Sequence, residues 1–416
     1  MPHKSIAGAN IVLGVTGGIA AYKAVELMRL LEKEGAFVTP VLTKAATQFV
    51  SEVTFAALSS SKVYSSLINQ DEPIIHTKLG KNADLILVAP ATANIIGTYR
   101  SGLAVDLLSS ILIATRAPVI FCPAMHTEMY ENAAVVENMQ VLKQRGSEFV
   151  DAEFGALARN DVGKGRLAEL EKIVAVVKRV LGKNESFDKK TVTVTAGGTK
   201  EYIDPVRFIT NRSSGKQGIA LALEAYYRGA EVNLVTTVTN VPPYLRDLEH
   251  FNIIEVETAQ EMAAAVCNLS EVTDMIVMAA AVADFKVKNE SKTKLHRQDG
   301  VPNLELAPTI DILKRLVELR KKNSLNSKTS KVKSQVIVGF AAETDDLSRR
   351  AANKLKNKNI DMLVANDVSK EDIGFDSESN AVTIYTLNGF VKQTDKKSKS
   401  EIAAEILDVY ELEFIN

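Results

Sequence analysis

The feature of this sequence that most restricts its fold is a repeated alternation of short apolar runs with helical stretches. Residues 10–15, 37–42, 84–89 and 118–122 are apolar enough to form buried strands. The stretches between them have the periodicity of amphipathic helices. Buried strands separated by helices are typical of parallel sheets that are covered on both faces. The first half is therefore predicted to be a doubly wound α/β domain.

The same alternation starts again in the second half of the chain. Five apolar runs there predict strands: 191–196, 231–237, 274–280, 335–342 and 361–366. A helix is predicted over 214–228, before Gly229. The polar segment 182–190 separates the halves and is typical of a linker. We therefore expect an α/β protein of two doubly wound, Rossmann-like domains with parallel sheets, covering residues 1–188 and 189–416.

Composition excludes several classes of partner. The formal net charge is -1, so the chain has no general attraction to nucleic acid or to an anionic membrane. No apolar run reaches the roughly 20 residues that cross a bilayer, and the N-terminal apolar stretch suits a first strand better than a signal peptide. The two cysteines, Cys122 and Cys267, are too few for a disulfide framework or a cysteine-rich zinc site. We expect a cytoplasmic protein without nucleic-acid or membrane partners.

Small and polar residues follow four predicted strands of the first half. A Gly-Gly turn follows the first strand, a threonine follows the second, and the turns 90–94 and 123–125 follow the third and fourth. Ligands of open α/β sheets bind at the carboxyl ends of strands, and a glycine turn before a helix presents N–H groups to an anion. A planar cofactor is therefore predicted here. Its candidate binding residues are Gly17, Gly18, Thr43, Pro90, Thr92 and Asn94.

The first half also resembles a known family. The motifs TGGIAAYK, IIHTKL, ADLILVAPATANIIG, GLAVDLLSS and PAM make residues 8–170 similar to the flavin-dependent phosphopantothenoylcysteine decarboxylases. The resemblance implies bound flavin mononucleotide (FMN) and a catalytic role for His76, the candidate acid–base group.

Two positions depart from that family. His126 stands where the family has an asparagine that helps hold the substrate, and Arg159 stands where it has a proton-donating cysteine. An arginine cannot donate a proton at neutral pH. Two possibilities follow for this half. It is either a working decarboxylase or a non-catalytic, flavin-type scaffold for the second half.

The segment 211–218, NRSSGKQG, leads into the first predicted helix of the second half. Ser213 and Ser214 suit the N-cap of that helix, so free N–H groups at its start would face an anion. A simple capped helix does not explain why Asn211 and Lys216 cluster with them. We therefore predict an anion or acyl site at this segment.

Charged and aromatic residues follow the later strands of the second half. Asp284 comes after a run of small residues and suits a metal ion or a ribose hydroxyl. Lys294 is a candidate point charge for a triphosphate, and the ring of Phe340 can flank a base. Lys354 and Lys358 lie four residues apart, on one face of a predicted helix. Together they predict a nucleotide site.

A second resemblance covers residues 191–410. The motifs DPVRFITNRSSGKQG, AAAVADF, VGFAAET and VANDVS are similar to those of phosphopantothenate–cysteine ligases, and the whole chain resembles the bacterial bifunctional enzymes of coenzyme A synthesis. The resemblance implies that cytidine triphosphate (CTP) and Mg²⁺ activate 4′-phosphopantothenate as an acyl-cytidylate, which the amine of L-cysteine then attacks. It also implies a homo-oligomer.

The same resemblance assigns roles to single residues. Asn211 would assist conversion of the intermediate to product, Lys294 would stabilise phosphate charge, and Asp284 would bind the metal ion. The residues implied to line the nucleotide are Met278, Ala279, Ala280, Asp284, Lys294, Ile310, Asp311, Ile312, Leu313, Phe340, Lys354 and Lys358. CTP and ATP remain alternatives. A nicotinamide-dependent dehydrogenase is a weaker hypothesis, because neither half has GxGxxG followed by an acidic residue about 20 positions later.

Overall fold

A computed structural model describes residues 6–68, 72–157, 161–326, 335–343, 355–367, 377 and 379–415. The chain divides between Gly182 and Lys183 into two compact units. Within the described residues, no helix has both the length and the apolar character that crossing a membrane requires.

The first unit contains seven strands and eight α-helices in the residues described. The strands are β1 Asn10–Val15, β2 Phe37–Leu42, β3 Leu85–Ala91, β4 Val119–Pro123, β5 Glu148–Phe149, β6 Glu153–Ala156 and β7 Val162–Arg166. The helices are α1 Lys23–Lys33, α2 Glu52–Leu58, α3 Ile75–Asn82, α4 Ala93–Arg100, α5 Leu107–Ala114, α6 Thr127–Tyr130, α7 Ala133–Gln144 and α8 Leu170–Gly182.

A parallel sheet of order β2-β1-β3-β4-β5 forms the centre of this unit. β3 is buried along its whole length, as a strand covered by helices on both faces must be. Separate apolar clusters pack on the two faces, one including Leu27 of α1 and Ile173 of α8, the other including Ile111 of α5. The strand order reverses between β1 and β3. That point is where doubly wound sheets bind ligands.

The second unit contains fourteen strands, four α-helices that lie wholly within the described residues, and a further helical turn at 355–358. The strands are β8 Thr191–Ala196, β9 Lys200–Tyr202, β10 Phe208–Thr210, β11 Glu231–Thr236, β12 Phe251–Glu255, β13 Met275–Met278, β14 Phe285–Val287, β15 Leu306–Pro308, β16 Val336–Glu343, β17 Met362–Asp367, β18 Ser379–Asn380, β19 Val382–Thr386, β20 Val391–Gln393 and β21 Lys397–Ser398. The helices are α9 Lys216–Tyr227, α10 Ala259–Leu269, α11 Ile312–Asn326 and α12 Lys399–Phe414.

An eight-stranded sheet of order β12-β11-β8-β13-β16-β17-β19-β20 forms the centre of the second unit. Its first six strands are parallel and have the order of a Rossmann fold, with the reversal between β8 and β13. The last two strands are antiparallel, because a tight turn joins β19 to β20. The α/β, doubly wound fold class is confirmed, with this antiparallel edge as a difference from an all-parallel sheet.

The segment predicted as a linker packs onto the second unit instead of extending between the units. The ring of Phe187 is fully buried, 5.4 Å from the ring of Tyr410 and 5.7 Å from the guanidinium of Arg228. Residues 183–188, which the sequence placed in the first domain, therefore pack with the second unit. The reason is one aromatic residue within a polar stretch, because burying such a ring outweighs the polarity of its neighbours.

The N-cap prediction for α9 is wrong. The helix begins at Lys216, and its N-cap is Gly215 in the left-handed region, at φ 73°. A β-carbon on Gly215 would lie 2.3 Å from Cγ2 of Val238 and 3.1 Å from the backbone nitrogen of Gly197, so this position favours glycine by space as well as by φ. No side-chain hydrogen bond caps α9 at Gly215.

Candidate active sites

A cavity of about 590 Å³ lies at the reversal point of the second sheet. The ends of β8 and β13 are hydrogen bonded there, since Ala280 N–H donates to Thr195 Oγ1 at 3.0 Å and Ala281 N–H to Gly197 O at 2.8 Å. The start of α9 and the residues before α11 complete the walls. Strand ends, glycine backbone and a helix N-terminus therefore meet in one space.

Most of the predicted nucleotide-binding residues line this cavity. They are Met278, Ala279, Ala280, Asp284, Ile310, Asp311, Ile312, Leu313, Phe340 and Lys358. Lys354 lies outside the described residues. Lys294 is exposed and is not part of the lining. Its neighbour Leu295 is instead hydrogen bonded through its N–H to Asp204 Oδ2, at 3.2 Å.

Asn211 is fixed at the mouth of the cavity by backbone acceptors. Its Nδ2 donates to Val282 O at 3.1 Å and to Ala281 O at 3.4 Å. A carbonyl can only accept, so these bonds place the NH₂ group toward the end of β13 and direct Oδ1 away from it. The prediction that Asn211 belongs to this site is consistent with that position.

Asp311 and Lys358 form an ion pair within the cavity lining. Burial acts to raise the pKa of Asp311, but hydrogen bonds from Lys358 and from the Lys314 N–H outweigh it and lower that pKa. Asp284 is exposed in the lining, and the described residues contain no group of three or more potential metal ligands. Magnesium commonly binds to one or two carboxylates plus substrate phosphates, so Asp284 fits a metal that arrives with a nucleotide.

Five polar residues of the lining were not named as site residues: Gln217, Thr309, Asn366, Asn380 and Lys399. Asn366 stands near the end of β17, a position that the strand-end argument could have identified. Asn380 and Lys399 are remote in sequence and carry no local signal. Their place in the cavity depends on β17 pairing with β19, which brings the C-terminal part of the chain back to α9.

The flavin residues predicted in the first unit meet at the reversal point of its sheet. Thr16 Oγ1 donates to Pro90 O at 2.7 Å and accepts from Thr92 N–H at 3.1 Å, which joins the ends of β1 and β3. Thr43, at the end of β2, donates its N–H to Val15 O at 3.0 Å. Asn94 is exposed in the first turn of α4. Thr16 was missed, although it directly precedes the two glycines.

The two glycines of this turn differ in their surroundings. A β-carbon on Gly17 would lie 2.3 Å from Cβ of Ala45. One on Gly18 would meet only Cγ2 of Thr92, at 3.9 Å. The surface over Gly18 is therefore open, and its bare backbone fits a flat ring and its phosphate.

We expect Gly17→Ala to lower the free energy of unfolding of the first unit by about 1–3 kcal/mol, because the new methyl group overlaps Ala45. Gly18→Ala is the matched control and, with both proteins in the flavin-free form, should leave it unchanged. Thermal unfolding of both variants measures the difference. Equal melting temperatures would contradict the assigned packing.

His76 lies in the first turn of α3. A helix that connects parallel strands begins at the carboxyl edge of the sheet, so this turn lies on the same edge as the flavin residues. The Nδ1 atom of His76 is buried and has no hydrogen-bond partner among the described residues. A buried ring nitrogen without a partner is a candidate for contact with a ligand.

His126 immediately follows the Pro-Ala-Met turn after β4. Its ring nitrogens contact Glu128 and, at 3.1 Å, Oδ2 of Asp161. Hydrogen bonds to Glu128 and then to Asp161 raise the pKa of His126, which favours the imidazolium form. Asp161 belongs to the loop between β6 and β7. β7 is hydrogen bonded to the Pro-Ala-Met turn, because Met125 N–H donates to Gly165 O at 3.0 Å.

Cys122 does not replace the proton donor that the resemblance places at position 159. The Cys122 thiol is fully buried, and burial raises its pKa. A neutral, inaccessible thiol does not exchange protons with a substrate. Arg159 itself lies outside the described residues.

Comparisons with known proteins cover both units. The Flavoprotein family model matches residues 2–182, and the model of the DNA/pantothenate metabolism flavoprotein C-terminal domain matches residues 187–412. The chain is 42% identical to the coenzyme A biosynthesis bifunctional protein CoaBC of Bacillus subtilis, over 96% of this chain and 95% of that protein. It is 39% identical to the protein of the same name from Vibrio vulnificus, over 97% of this chain and 98% of that protein. A crystal structure of the C-terminal domain of such a protein is 37% identical and covers 55% of this chain and 97% of its own, with a TM-score of 0.43.

Proposed function

The chain belongs to the family of bifunctional coenzyme A biosynthesis proteins, and from this membership we propose how its two units divide the work. The protein is a phosphopantothenate–cysteine ligase and a phosphopantothenoylcysteine decarboxylase. The dehydrogenase hypothesis is not favoured, because the relatives that match almost the whole chain are proteins of coenzyme A synthesis.

The second unit performs the ligation. A carboxylate is a poor electrophile, and transfer of a nucleotidyl group to it creates a leaving group for the cysteine amine. The observation that carries this assignment is the cavity at the β8–β13 reversal, which collects the nucleotide-lining residues in one space. The N-terminus of α9, through its dipole, and the side chain of Asn211 stabilise the reacting acyl phosphate.

CTP and Mg²⁺ are the proposed co-substrate and metal ion. Asp284 binds the metal ion together with the triphosphate. Lys358, already paired with Asp311 at the cavity wall, balances phosphate charge. Lys294 keeps its predicted role toward the phosphates as a proposal, although it is exposed and lies outside the lining. Lys354 keeps its predicted place in the nucleotide site as a proposal.

The first unit performs the decarboxylation with bound FMN, at the carboxyl edge of the first sheet. Gly17, Gly18, Thr43, Pro90, Thr92 and Asn94 are the proposed binding residues. The flavin supplies reversible oxidation of the substrate when bound. His76 holds or moves a proton at its free ring nitrogen. His126, whose ring nitrogens hydrogen bond to Glu128 and Asp161, is the proposed substrate-binding group at the position of the family's asparagine.

A homo-oligomer is the proposed assembly. Val206, Phe208, Phe285 and Leu306 expose large apolar side chains on or beside the two short hairpins β9–β10 and β14–β15, a grouping typical of an interface. Both cysteines are free thiols, as is usual in the cytoplasm, which is the proposed compartment.

Two product measurements test the proposed function. The purified protein, with 4′-phosphopantothenate, Mg²⁺ and CTP, should release pyrophosphate, and addition of L-cysteine should then give phosphopantothenoylcysteine. CO₂ release from that product tests the first unit. Absence of pyrophosphate with every nucleoside triphosphate would refute the nucleotide assignment, and absence of CO₂ from a yellow, flavin-loaded protein would refute the assigned decarboxylation.

A further inference from the structure

One polar atom in the lining of the second unit's cavity lacks a partner. The carboxamide oxygen of Asn366 is buried and accepts no hydrogen bond from the described residues. A buried amide oxygen without a donor costs about 1–3 kcal/mol relative to a paired one. Its terminal torsion is soft, so a small rotation turns the carboxamide toward the cavity. A ligand N–H would satisfy it.

The oxygens of two other carboxamides in the lining, Gln217 and Asn380, already accept hydrogen bonds. Gln217 Nε2 donates to Lys399 O at 3.2 Å, and Asn380 Nδ2 donates to Gln217 Oε1 at 3.4 Å. Asn380 Oδ1 accepts from Ala381 N–H at 2.9 Å. A carbonyl only accepts and an N–H only donates, so Lys399 O and Ala381 N–H fix which atom of each carboxamide is the oxygen. Among Gln217, Asn366 and Asn380, Asn366 is the one whose oxygen has no hydrogen-bond donor among the described residues.

Asn366 lies on the same side of the sheet as an aromatic ring of the cavity. Phe340 of β16 pairs in register with Val364, two residues before Asn366 on β17. Side chains two residues apart on a strand project from the same face, and paired residues share a face. The Phe340 ring and the Asn366 carboxamide therefore combine a stacking surface with a hydrogen-bonding group, which suits a planar base.

The charged and the uncharged side chains of the lining suit different parts of a nucleotide. Asp284, Asp311 and Lys358 are charged groups suited to a metal–triphosphate. Asp284 follows β13, whereas Asn366 lies on β17, two strands further along the sheet. The carboxamide of Asn366 is uncharged and matches a neutral base edge better than a phosphate, and the charge of Lys399 enters the same lining beside Gln217.

We propose that Asn366 accepts a hydrogen bond from the exocyclic amino group of the nucleotide base and so selects amine-bearing bases over oxo-bearing ones. Cytosine presents an amine at the position where uracil presents a carbonyl oxygen, and adenine differs from guanine in the same way. The proposal rests on the proposed nucleotide site and adds the group that determines base choice.

The test compares pyrophosphate release with CTP, UTP, ATP and GTP in the full-length wild type and in two variants. Wild type should use CTP over UTP. Asn366→Leu, which removes the acceptor, should lower kcat/KM for CTP roughly tenfold or more and bring the CTP-to-UTP ratio close to one. Asn366→Asp keeps an acceptor oxygen and should keep a ratio that favours CTP. Because each ratio comes from one preparation, it does not depend on the fraction of folded protein.

Asn233→Leu makes the same change on β11, outside the cavity lining, and should keep the wild-type ratio. An unchanged ratio in Asn366→Leu would overturn the proposal. If that variant with an unchanged ratio also had a raised KM for cysteine, the acceptor would be assigned to the amine of cysteine instead. A wild type that releases pyrophosphate equally with CTP and UTP would also overturn it. A wild type that releases none with any triphosphate would refute the nucleotide site itself.

Discussion

Asn211→Asp is expected to lower amide formation by on the order of 10²–10³-fold while pyrophosphate release continues. The Asn211 NH₂ group donates to the carbonyl oxygens of Val282 and Ala281, at 3.1 and 3.4 Å. A carboxylate there would face two acceptors without a proton to share, and it would add negative charge beside an acyl phosphate. The site would therefore still bind nucleotide but would lose the group that assists attack by cysteine.

Single-turnover measurement of pyrophosphate and of phosphopantothenoylcysteine, from the same reaction, separates the two steps. Asn388→Asp is the matched control, since Asn388 is exposed in the turn between β19 and β20. It should react like the wild type. If Asn211→Asp formed the amide within tenfold of the wild-type rate, the assigned role of Asn211 would be wrong.

His76→Asn is expected to lower CO₂ release by on the order of 10²–10⁴-fold and to leave ligation unchanged. The Nδ1 atom of His76 is buried without a partner among the described residues, so the ring is available to a ligand. Asparagine keeps a polar side chain but cannot titrate near neutral pH, which removes proton transfer without emptying the position.

His250→Asn is the control for this prediction. His250 lies in the second unit at φ 66°, a left-handed backbone that asparagine also adopts, and it pairs with Glu231 away from both candidate sites. It should change neither activity. Flavin absorbance should persist in His76→Asn. Loss of that absorbance would indicate a binding role instead, and undiminished CO₂ release would refute any role in the reaction.

The positions of both candidate sites could be predicted from the sequence, because they depend on a local property. An apolar run followed by glycine or a small polar residue indicates where a buried strand ends, and parallel strands end at one edge. Gly17 and Gly18 in the first unit, and Ala279 and Ala280 in the second, were identified in this way. Departures such as His126 were also visible without a structure.

Which residues line each candidate site depended on contacts between distant parts of the chain, and no local sequence pattern encodes such contacts. Asn380 and Lys399 reach the nucleotide cavity only because β19 pairs antiparallel to β17. Asp161 reaches His126 because the β6–β7 hairpin folds back onto the turn after β4. The α9 N-cap was mispredicted because Gly215 takes the left-handed conformation against Val238 and Gly197, two segments remote in sequence, and the helix begins after it.

Apolar periodicity and turn residues act over a few positions, so they were enough to predict two α/β units with candidate ligand sites at their strand ends. The strand order, the carboxamides that join Asn366 in the cavity lining and the position of Lys294 outside that lining are visible only in the folded chain. Those features arise from pairing between distant segments. Their free energy depends on the whole fold and not on any short stretch of residues.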